Sequence, residues 1–376
     1  MNRFRFFLAF NVFLAIAFFV YFGFPEEWRK KPLLNILLII HHAIGIVSLE
    51  LTFMVYRDIP YAWLKTTATV ISTYYYISMM ITATFFGIRL LINLFRHPYL
   101  RKHPEKKRWI RLNRAHQSVI VLLSSYVLVT VGFINMNHLH TTSYETIIDK
   151  KGMPEDLNMV FLSDTHAGAG NWDSLYTQLE EQLTTAEPDL LIIGGDVFDE
   201  TTCEEDIEKL TDVIASIHPT YGIYYVLGNH DDPEDEDALE AMAAAGAILC
   251  SDEKIVIEDT IQILFRSDDG MEERPSVEEL FEQCDVDQEL PVVVVQHRPT
   301  QLRDLAEHGA DLVLAGHTHG VNIPMYLTVC HQADLVYGMK RFDSMTAIVT
   351  SGVSGWGFHY KFPAINELVS LRIQFE

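Results

Sequence analysis

The chain has 376 residues, and its composition divides it into two unlike parts. Hydrophobic residues make up 49% of the sequence and the mean hydropathy is +0.10, which is high for a soluble protein. Residues 1–150 contain 17 Lys and Arg against 7 Asp and Glu, whereas residues 151–376 contain 11 against 44. The acidic second part would repel the phosphate backbone of nucleic acids, so no nucleic acid is expected as a substrate or partner.

The first part contains four apolar segments, each close to or above the roughly 20 residues that a membrane-spanning helix needs. They predict a four-helix transmembrane domain over residues 1–137, with the lipid bilayer as its partner. Aromatic residues near the segment ends suit the two membrane interfaces. The segments are Phe6–Phe24, Leu33–Tyr56, Thr66–Phe95 and Ser118–Ile134.

The basic residues between these segments predict an orientation, because Lys and Arg in short loops stay in the cytoplasm. With four helices, the acidic part would then be extracytoplasmic, on a multi-pass protein of the cell membrane. Arg3 and Arg5 favour the opposite orientation, as do unpaired thiols. The basic loop residues are Arg29, Lys30, Lys31, Arg96, Arg101, Lys102, Lys106, Lys107, Arg108, Arg111 and Arg114.

All four cysteines lie in the acidic part, and none forms a Cys-x-x-Cys pair. Buried free thiols are therefore expected, with two disulfides as the alternative. The cysteines are Cys203, Cys250, Cys284 and Cys330.

A linker is predicted at residues 138–156, and after it short apolar runs alternate with helical stretches, which is typical of a layered α/β domain over residues 157–376. The predicted strands are Asn158–Ser163, Leu190–Gly194, Gly222–Leu227, Lys254–Ile257, Ile261–Phe265, Pro291–Gln296, Leu312–Ala315, Ala347–Thr350 and Leu368–Ile373. The predicted helices are Trp172–Thr185, Glu204–Ile217, Glu236–Ala245, Val277–Gln283 and Thr300–Glu307.

Five predicted strands end in side chains that can bind metal ions. Because ligands of α/β sheets gather at the carboxyl edge, these ends are expected to converge. Their oxygen and imidazole ligands suit Mn, Fe, Zn, Ni or Co. One such motif alone is more often a solvated loop, but five together favour a metal site. The motifs are Ser163-Asp164-Thr165-His166, Gly194-Gly195-Asp196, Gly228-Asn229-His230-Asp231, Gln296-His297 and Gly316-His317-Thr318-His319.

In this order the motifs resemble the series D-x-H, G-D, G-N-H-[DE], strand-end His and G-H-x-H of the calcineurin-like metallophosphoesterases. The resemblance extends from about Leu157 to Ile373, and it implies an α/β/β/α sandwich of two mixed sheets flanked by helices. Residues 221–231 and 311–320 are similar to the membrane-associated bacterial branch, which includes enzymes acting on UDP-diacylglucosamine. That branch commonly continues G-H-T-H-G-G-Q, whereas Val321 and Asn322 follow here, which leaves the substrate open.

The resemblance implies two divalent transition-metal ions bridged by Asp196. A carboxylate spanning two cations about 3.5 to 4 Å apart makes a shared hydroxide nucleophilic at neutral pH, for in-line attack at phosphorus. The first ion would be held by Asp164, His166, Asp196 and His319. The second would be held by Asp196, Asn229, His297 and His317.

Two further residues are candidates for catalysis, His230 by the same resemblance and Asp231 by its position next to His230. His230 would contact the phosphate or protonate the leaving oxygen, and Asp231 beside it is the candidate carboxylate that orients it. Arg298 follows a predicted ligand directly, so it is either a phosphate-binding residue or a turn residue before proline.

The sequence thus predicts a two-metal phosphoesterase that hydrolyses a phosphate ester or phosphoanhydride of a membrane lipid or cell-envelope compound. An enzyme acting on a soluble substrate could be anchored by a single helix, so four predicted helices favour a membrane substrate. The alternatives are a membrane-tethered phosphodiesterase acting on soluble nucleotides and a non-catalytic metal-binding signalling module. The presence of every expected ligand argues against the module. The sequence makes no prediction about the oligomeric state.

Overall fold

The protein is described by a computed structural model, which covers residues 15–53, 59, 61–103, 114–153, 155–168, 170, 173–270, 274–322 and 333–376. The chain divides into two compact units. The first consists of residues 1–52 and 62–131, and the second of residues 53–61 and 132–376.

Three helices in the described part of the first 135 residues are long and apolar enough to cross a membrane. They are α3 (Pro32–Phe53), α4 (Ala62–Lys102) and α5 (Arg114–Asn135), and they match the second, third and fourth predicted segments. Helix α1 is described over residues 15–23, and α2 (Glu26–Arg29) is a single turn. The first predicted span is Phe6–Phe24, and its residues 6–14 lie outside the described residues. The structure therefore supports three spanning helices rather than a clear four.

Polar side chains join these helices to one another. Thr52 and Ser72 share a 3.0 Å hydrogen bond between α3 and α4, and the Thr82 hydroxyl donates to Ser125 on α5 at 2.9 Å. All four side chains are buried. Between apolar helices surrounded by lipid, such hydrogen bonds contribute to association alongside close packing.

The second unit contains two six-stranded mixed sheets. The first sheet has the spatial order β1-β12-β2-β3-β4-β5, and the second has the order β10-β11-β9-β8-β7-β6. The strands are β1 (Leu139–Ile148), β2 (Leu157–Leu162), β3 (Leu190–Ile193), β4 (Ile223–Tyr225), β5 (Ala247–Leu249), β6 (Glu253–Ile257), β7 (Ile261–Arg266), β8 (Val292–Gln296), β9 (Leu312–Ala315), β10 (Gly338–Phe342), β11 (Met345–Val349) and β12 (Asn366–Phe375).

One apolar cluster fills the space between the sheets and includes Phe161, Phe265 and Val295. A second cluster lies between the first sheet and helices α6 to α8, and a third between the second sheet and helices α9 and α10. The predicted α/β/β/α sandwich of two mixed sheets is therefore confirmed. The helices are α6 (Asp173–Ala186), α7 (Glu204–Ala215), α8 (Glu236–Ala244), α9 (Val277–Gln283) and α10 (Leu302–Glu307).

Local sequence explains why the central elements form where they do. Strands β3 and β8 are buried along their whole length, so they are continuous apolar runs rather than alternating ones. Helix α9 begins at a capping box in which Ser276 and Glu279 each bond the backbone N–H of the other, at 3.2 and 2.8 Å. This signal explains why its predicted bounds agree with the structure.

Among the described residues, all nine predicted strands are present, together with three strands that the sequence did not predict. Strand β1 lies inside the stretch predicted as a linker, where it pairs in parallel with β12 at the sheet edge. Its sequence, LHTTSYETII, has no continuous apolar run, because much of it is exposed. Strand β5 has only three residues, and three of the five residues of β10 are exposed. The domain boundaries at residues 137 and 157 stay predictions.

The topology brings the predicted motifs to one edge of the sandwich. Strands β2, β3 and β4 are parallel neighbours in the first sheet, and β8 and β9 are parallel neighbours in the second. Contacts between the two sets of loops close this edge: the His317 backbone N–H donates to both carboxylate oxygens of Asp164 at 3.0 Å. Five chain-distant loops therefore meet in one place.

Candidate metal centre

The loops that follow the strands turn sharply at the predicted ligands. Five of these residues have a positive φ, between 43° and 70°, although none is a glycine. Side chains make this left-handed conformation unfavourable by about 1 to 3 kcal/mol each, so it persists only where the surrounding structure enforces it. The residues are Asp164, His166, Asp196, His317 and His319.

The first cluster consists of Asp164, His166 and His319, all buried, with one potential ligand atom from each within 4.8 Å of the others. His319 Nε2 lies 3.8 Å from Asp164 Oδ1. The rings of His166 and His319 have centroids 5.1 Å apart. These are three of the four residues that the sequence assigned to one ion.

The second cluster consists of Asp196, His297 and His317, which meet the same 4.8 Å criterion. His297 Nε2 lies 3.1 Å from Asp196 Oδ2 and 3.3 Å from His317 Nδ1. Three of the four residues assigned to the other ion are thus brought together.

Asp196, a member of the second cluster, also contacts the first cluster. Its Oδ2 is 3.5 Å from His166 Nε2 in the first cluster and 3.1 Å from His297 Nε2 in the second. Its Oδ1 accepts the backbone N–H of His230 at 2.8 Å. One carboxylate therefore contacts both groups, which is the position predicted for a bridging ligand.

The imidazole nitrogens fit a metal site. His297 Nδ1 donates to the Gly194 carbonyl at 2.8 Å, which leaves its Nε2 for another partner, whereas His166 Nδ1 is 3.6 Å from Asp199 Oδ2 and forms no hydrogen bond in the described part of the chain. The Nε2 of His166 is buried and forms no hydrogen bond among the described residues. Metal-bound histidines typically hold their second nitrogen in this way, and a buried polar atom without a partner is costly.

Without bound cations, the charges of the two clusters are set by the protonation of their histidines. Burial opposes the charge of Asp196, but His297 and His166 hold its pKa well below the usual range. Burial likewise opposes protonation of His297, yet Asp196 outweighs it and raises its pKa to about 10. Burial lowers the pKa of His319 to about 3. Since protons and metal ions compete for the same lone pairs, bound cations would favour the neutral form of every imidazole.

Asn229 lies on the loop after β4, between two residues that contact Asp196. A Cβ atom at Gly228 would lie 2.2 Å from Asp196 Oδ1, so only glycine allows this approach. The Asn229 side chain is exposed, and its role as a ligand stays a prediction.

His230 is held by two residues that the sequence analysis did not identify. Its Nδ1 lies 3.3 Å from Glu200 Oε2, which also accepts the indole N–H of Trp356 at 3.3 Å. The His230 and Trp356 rings have centroids 5.4 Å apart. Burial opposes the charge of Glu200, but the bond to His230 outweighs it and lowers its pKa to about 2. The one available signal was the position of Glu200, which lies on the loop of Asp196.

The orienting role predicted for Asp231 is corrected by this geometry. The Asp231 carboxylate is buried and accepts three backbone N–H groups, from Val197 and Phe198 at 2.9 Å and from Gly228 at 2.8 Å. Burial and the charge of Asp196 raise its pKa to about 6. Asp231 therefore joins the loop after β3 to the loop after β4, and Glu200 is the carboxylate that reaches His230.

Arg298 and the cysteines also have defined surroundings. Arg298 Nε lies 3.0 Å from Asp268 Oδ1, so the guanidinium is ion-paired beside His297. Among the described residues, Cys203, Cys250 and Cys284 form no disulfide. Cys250 and Cys284 are buried, as predicted, whereas Cys203 is partly exposed, and Cys330 lies outside the described residues.

Comparison with known families matches residues 157–321 to the family model described as calcineurin-like phosphoesterase. The matched segment contains every predicted metal ligand and both predicted catalytic residues.

Several relatives are similar to this chain. An uncharacterized metallophosphoesterase of Helicobacter pylori is 28% identical, over 61% of this chain and 63% of its own length. The alignment thus spans less than two thirds of that relative. A transmembrane protein with metallophosphoesterase domain from Danio rerio is 24% identical over 69% of this chain and 63% of its own. The UDP-2,3-diacylglucosamine pyrophosphatase LpxG of Chlamydia trachomatis is 21% identical over 69% and 97%.

The bonds of Asp231 lead to a prediction about stability. Asp231→Ala removes the acceptor of three backbone N–H groups, so the unfolding free energy should fall by at least about 3 kcal/mol, measured by denaturant titration in detergent. Asp231→Asn keeps one acceptor oxygen and should lose less. Asp232→Ala, at the exposed next position, is the matched control. Equal losses for Asp231→Ala and Asp232→Ala would contradict this account.

Proposed function

We propose, from the premise that the chain carries a calcineurin-like metallophosphoesterase domain, that it is a two-metal hydrolase of a phosphate ester or phosphoanhydride on a membrane lipid or cell-envelope compound. The observation that carries the proposal is that Asp196 contacts metal-binding side chains of both clusters, His166 in the first and His297 in the second. The Asp196 Oδ2 is within 3.5 Å of an imidazole nitrogen of each cluster, which is the arrangement that a bridging ligand requires.

The proposed ligands divide into two sets around Asp196. When bound, two divalent cations such as Mn, Fe, Zn, Ni or Co neutralise phosphoryl oxygens and activate a water molecule for attack on phosphorus. The chain's own contribution is to keep Asp196 ionised and to hold the ligand loops in place. The first set is Asp164, His166, Asp196 and His319, and the second is Asp196, Asn229, His297 and His317.

His230 is the proposed group that contacts substrate. Its ring lies 5.1 Å from that of His166, so it stands at the edge of the first cluster, and its side chain is 28% exposed. When Nδ1–H donates to Glu200, Nε2 remains available for the phosphate or the leaving oxygen. A histidine in this position can act as a general acid toward the leaving oxygen. Glu200 and Trp356 would therefore act by positioning this ring.

A membrane substrate is supported by the helices and by one relative. Three described helices are apolar enough to cross a membrane, and a single one would suffice as a tether. The relative LpxG is named for the cleavage of a lipid-linked pyrophosphate, and the alignment covers nearly all of its length. We extend to this chain only the chemical class, a phosphoanhydride or ester with an apolar tail.

The proposed topology is a multi-pass protein with an extracytoplasmic catalytic unit. Helix α5 begins at Arg114, at the end of the basic loop after α4, and β1 follows its other end. Because the positive-inside rule keeps this basic loop in the cytoplasm, the second unit would lie on the opposite side. The side of the second unit follows from α5 alone, whether or not the first segment crosses the membrane. Lys106, Lys107, Arg108 and Arg111 of the loop lie outside the described residues.

The function is tested by comparing substrates with the full chain purified in detergent and loaded with Mn²⁺. We expect kcat/KM for a diacylated sugar-nucleotide pyrophosphate to exceed that for a soluble nucleotide pyrophosphate by at least about tenfold, because only the first carries an apolar tail. Higher turnover of the soluble nucleotide would favour the tethered phosphodiesterase instead.

The same assay separates an enzyme from a binding module. Asp196→Ala should lower kcat by about 10³-fold or more, since both clusters lose their shared ligand. Asp212→Ala, on the exposed face of α7, is the matched control and should retain activity. A folded wild-type protein that binds metal but cleaves none of these substrates would contradict the hydrolase assignment.

The topology is tested by labelling introduced cysteines with a membrane-impermeant maleimide in spheroplasts. Glu240→Cys lies on exposed α8 in the catalytic unit, and Lys30→Cys lies at the exposed end of α2. We expect Glu240→Cys to react from outside and Lys30→Cys to react only after permeabilisation. The unchanged chain controls for reaction of the native thiols. The reverse pattern would overturn the proposed orientation.

A further inference from the structure

Lys361 is a fully buried lysine that none of the five motifs contains. Its ammonium group donates to three backbone carbonyls, of Ser351, Gly352 and Ser354, the last two at 2.8 and 2.6 Å. Burial lowers its pKa to about 7, against the attraction of the Asp164 and Glu367 carboxylates. Three acceptors require three N–H donors, which the charged ammonium has and the neutral amine lacks. The contacts therefore match the charged form.

The segment that Lys361 holds, residues 351–354, is the backing loop of Asp164. The Val353 backbone N–H donates to the Ser163 carbonyl at 2.9 Å, and the Ser354 N–H donates to the Asp164 carbonyl at 3.0 Å. A Cβ atom at Gly352 would lie 2.6 Å from the Asp164 Cβ, so the backing loop touches the side chain as well. Any displacement of this loop would therefore move Asp164.

Glu367 of β12 holds the same loop from the other side. Its Oε2 accepts the Thr350 hydroxyl at 2.7 Å and the Ser351 backbone N–H at 3.0 Å, and its own backbone N–H donates to the Gly352 carbonyl at 2.9 Å. Like Lys361, it is completely buried. Buried charges are retained only when they are well compensated, which indicates that this arrangement is tightly constrained.

The segment around Lys361 is also joined to the last turn of α5 within the second unit. The Lys361 backbone N–H donates to the Gly132 carbonyl at 3.0 Å, and the Asn366 side chain donates to the Met136 carbonyl at 2.8 Å. A Cβ atom at Gly132 would lie 2.2 Å from the Tyr360 ring, so the packing there is close. Lys361 thus contacts the end of α5 through its backbone and the backing loop through its side chain.

We propose that Lys361 is a positioning residue that fixes Asp164 for metal binding by holding the backing loop against the end of α5. The metal-binding role of Asp164 rests on the proposed function, whereas the contacts of Lys361 do not. A side chain that orients a metal ligand typically contributes 10-fold to about 100-fold in metal affinity or activity, although it touches neither metal nor substrate. Lys361 has this geometry, because it bonds the backing loop, which in turn bonds the backbone of Asp164.

The test compares Lys361→Met with the wild-type full chain in detergent. The Met side chain fills the space of the lysine stem but donates to no carbonyl, so Asp164 loses its fixed position. We expect the Mn²⁺ dissociation constant, obtained from the free Mn²⁺ signal in electron paramagnetic resonance, to rise at least about tenfold. With saturating Mn²⁺, kcat should fall while KM changes less than about twofold, because substrate binding by His230 is untouched.

Lys150→Met is the matched control. Lys150 donates to the Leu290 carbonyl at 3.2 Å and to Asp311 at 2.7 Å, at the beginnings of β8 and β9, which is the sheet edge opposite the metal centre. It should alter stability without altering Mn²⁺ affinity. Loss of affinity in both variants would show a general structural effect and would overturn the assignment of Lys361.

A folded Lys361→Met protein, judged by circular dichroism, with wild-type Mn²⁺ affinity also overturns the proposal. If Lys361→Met does not fold, Lys361→Arg is measured in the same way. Arginine retains the charge, but its guanidinium is too large to fit among the three carbonyls that accept the ammonium of Lys361. Weaker Mn²⁺ binding by this variant supports the proposal, and unchanged binding overturns it. If the wild-type chain binds Mn²⁺ but hydrolyses no phosphate compound, the proposed function fails while the affinities still decide the role of Lys361.

Discussion

The site depends on a buried carboxylate, that of Asp196, which contacts imidazoles from both clusters and the backbone N–H of His230. A buried anion without compensation would be strongly destabilising, so the surrounding loops have to supply positive charge or hydrogen-bond donors. Protonated histidines can do this when no cation is present. A pair of divalent cations does so more completely, because it also satisfies the buried imidazole nitrogens that otherwise have no partner.

Around this carboxylate, the strands of the sandwich form a rigid core, and the loops hold ligand residues in unfavourable backbone conformations. Strands β3, β8 and β9 are fully buried, whereas five of the seven predicted ligands occupy left-handed backbone conformations. Such conformations persist because three kinds of tie hold the loops: Asp231 joins the first sheet's loops, His297 reaches across to the Gly194 carbonyl, and Lys361 holds the loop behind Asp164. A ligand set held in this way is preorganised for cations, which lowers the cost of binding them.

The sequence predicted the sandwich and most of the centre because both leave local signals. A buried strand is a short apolar run, and a ligand at its end interrupts that run with Asp or His. Strand β1 leaves no such run, because it is a polar edge strand stabilised by pairing with β12 at the other end of the chain segment. Glu200 was not predictable either, because its partners His230 and Trp356 are distant in sequence. Lys361 was not predictable, because it bonds backbone carbonyls, which any residue has. Asp231 was assigned to His230 from adjacency alone, but neighbouring side chains in a turn point in different directions.

The central claim is that Asp196 bridges two cations, and metal stoichiometry combined with electron paramagnetic resonance of the Mn²⁺-loaded full chain tests it most directly. The account predicts two Mn²⁺ ions per chain with an exchange-coupled signal, since a carboxylate bridge holds such ions about 3.5 to 4 Å apart. In folded Asp196→Ala, the coupled signal should disappear. A wild-type chain that binds one ion, or two ions without coupling, would contradict the bridged centre and the hydrolase assignment that rests on it.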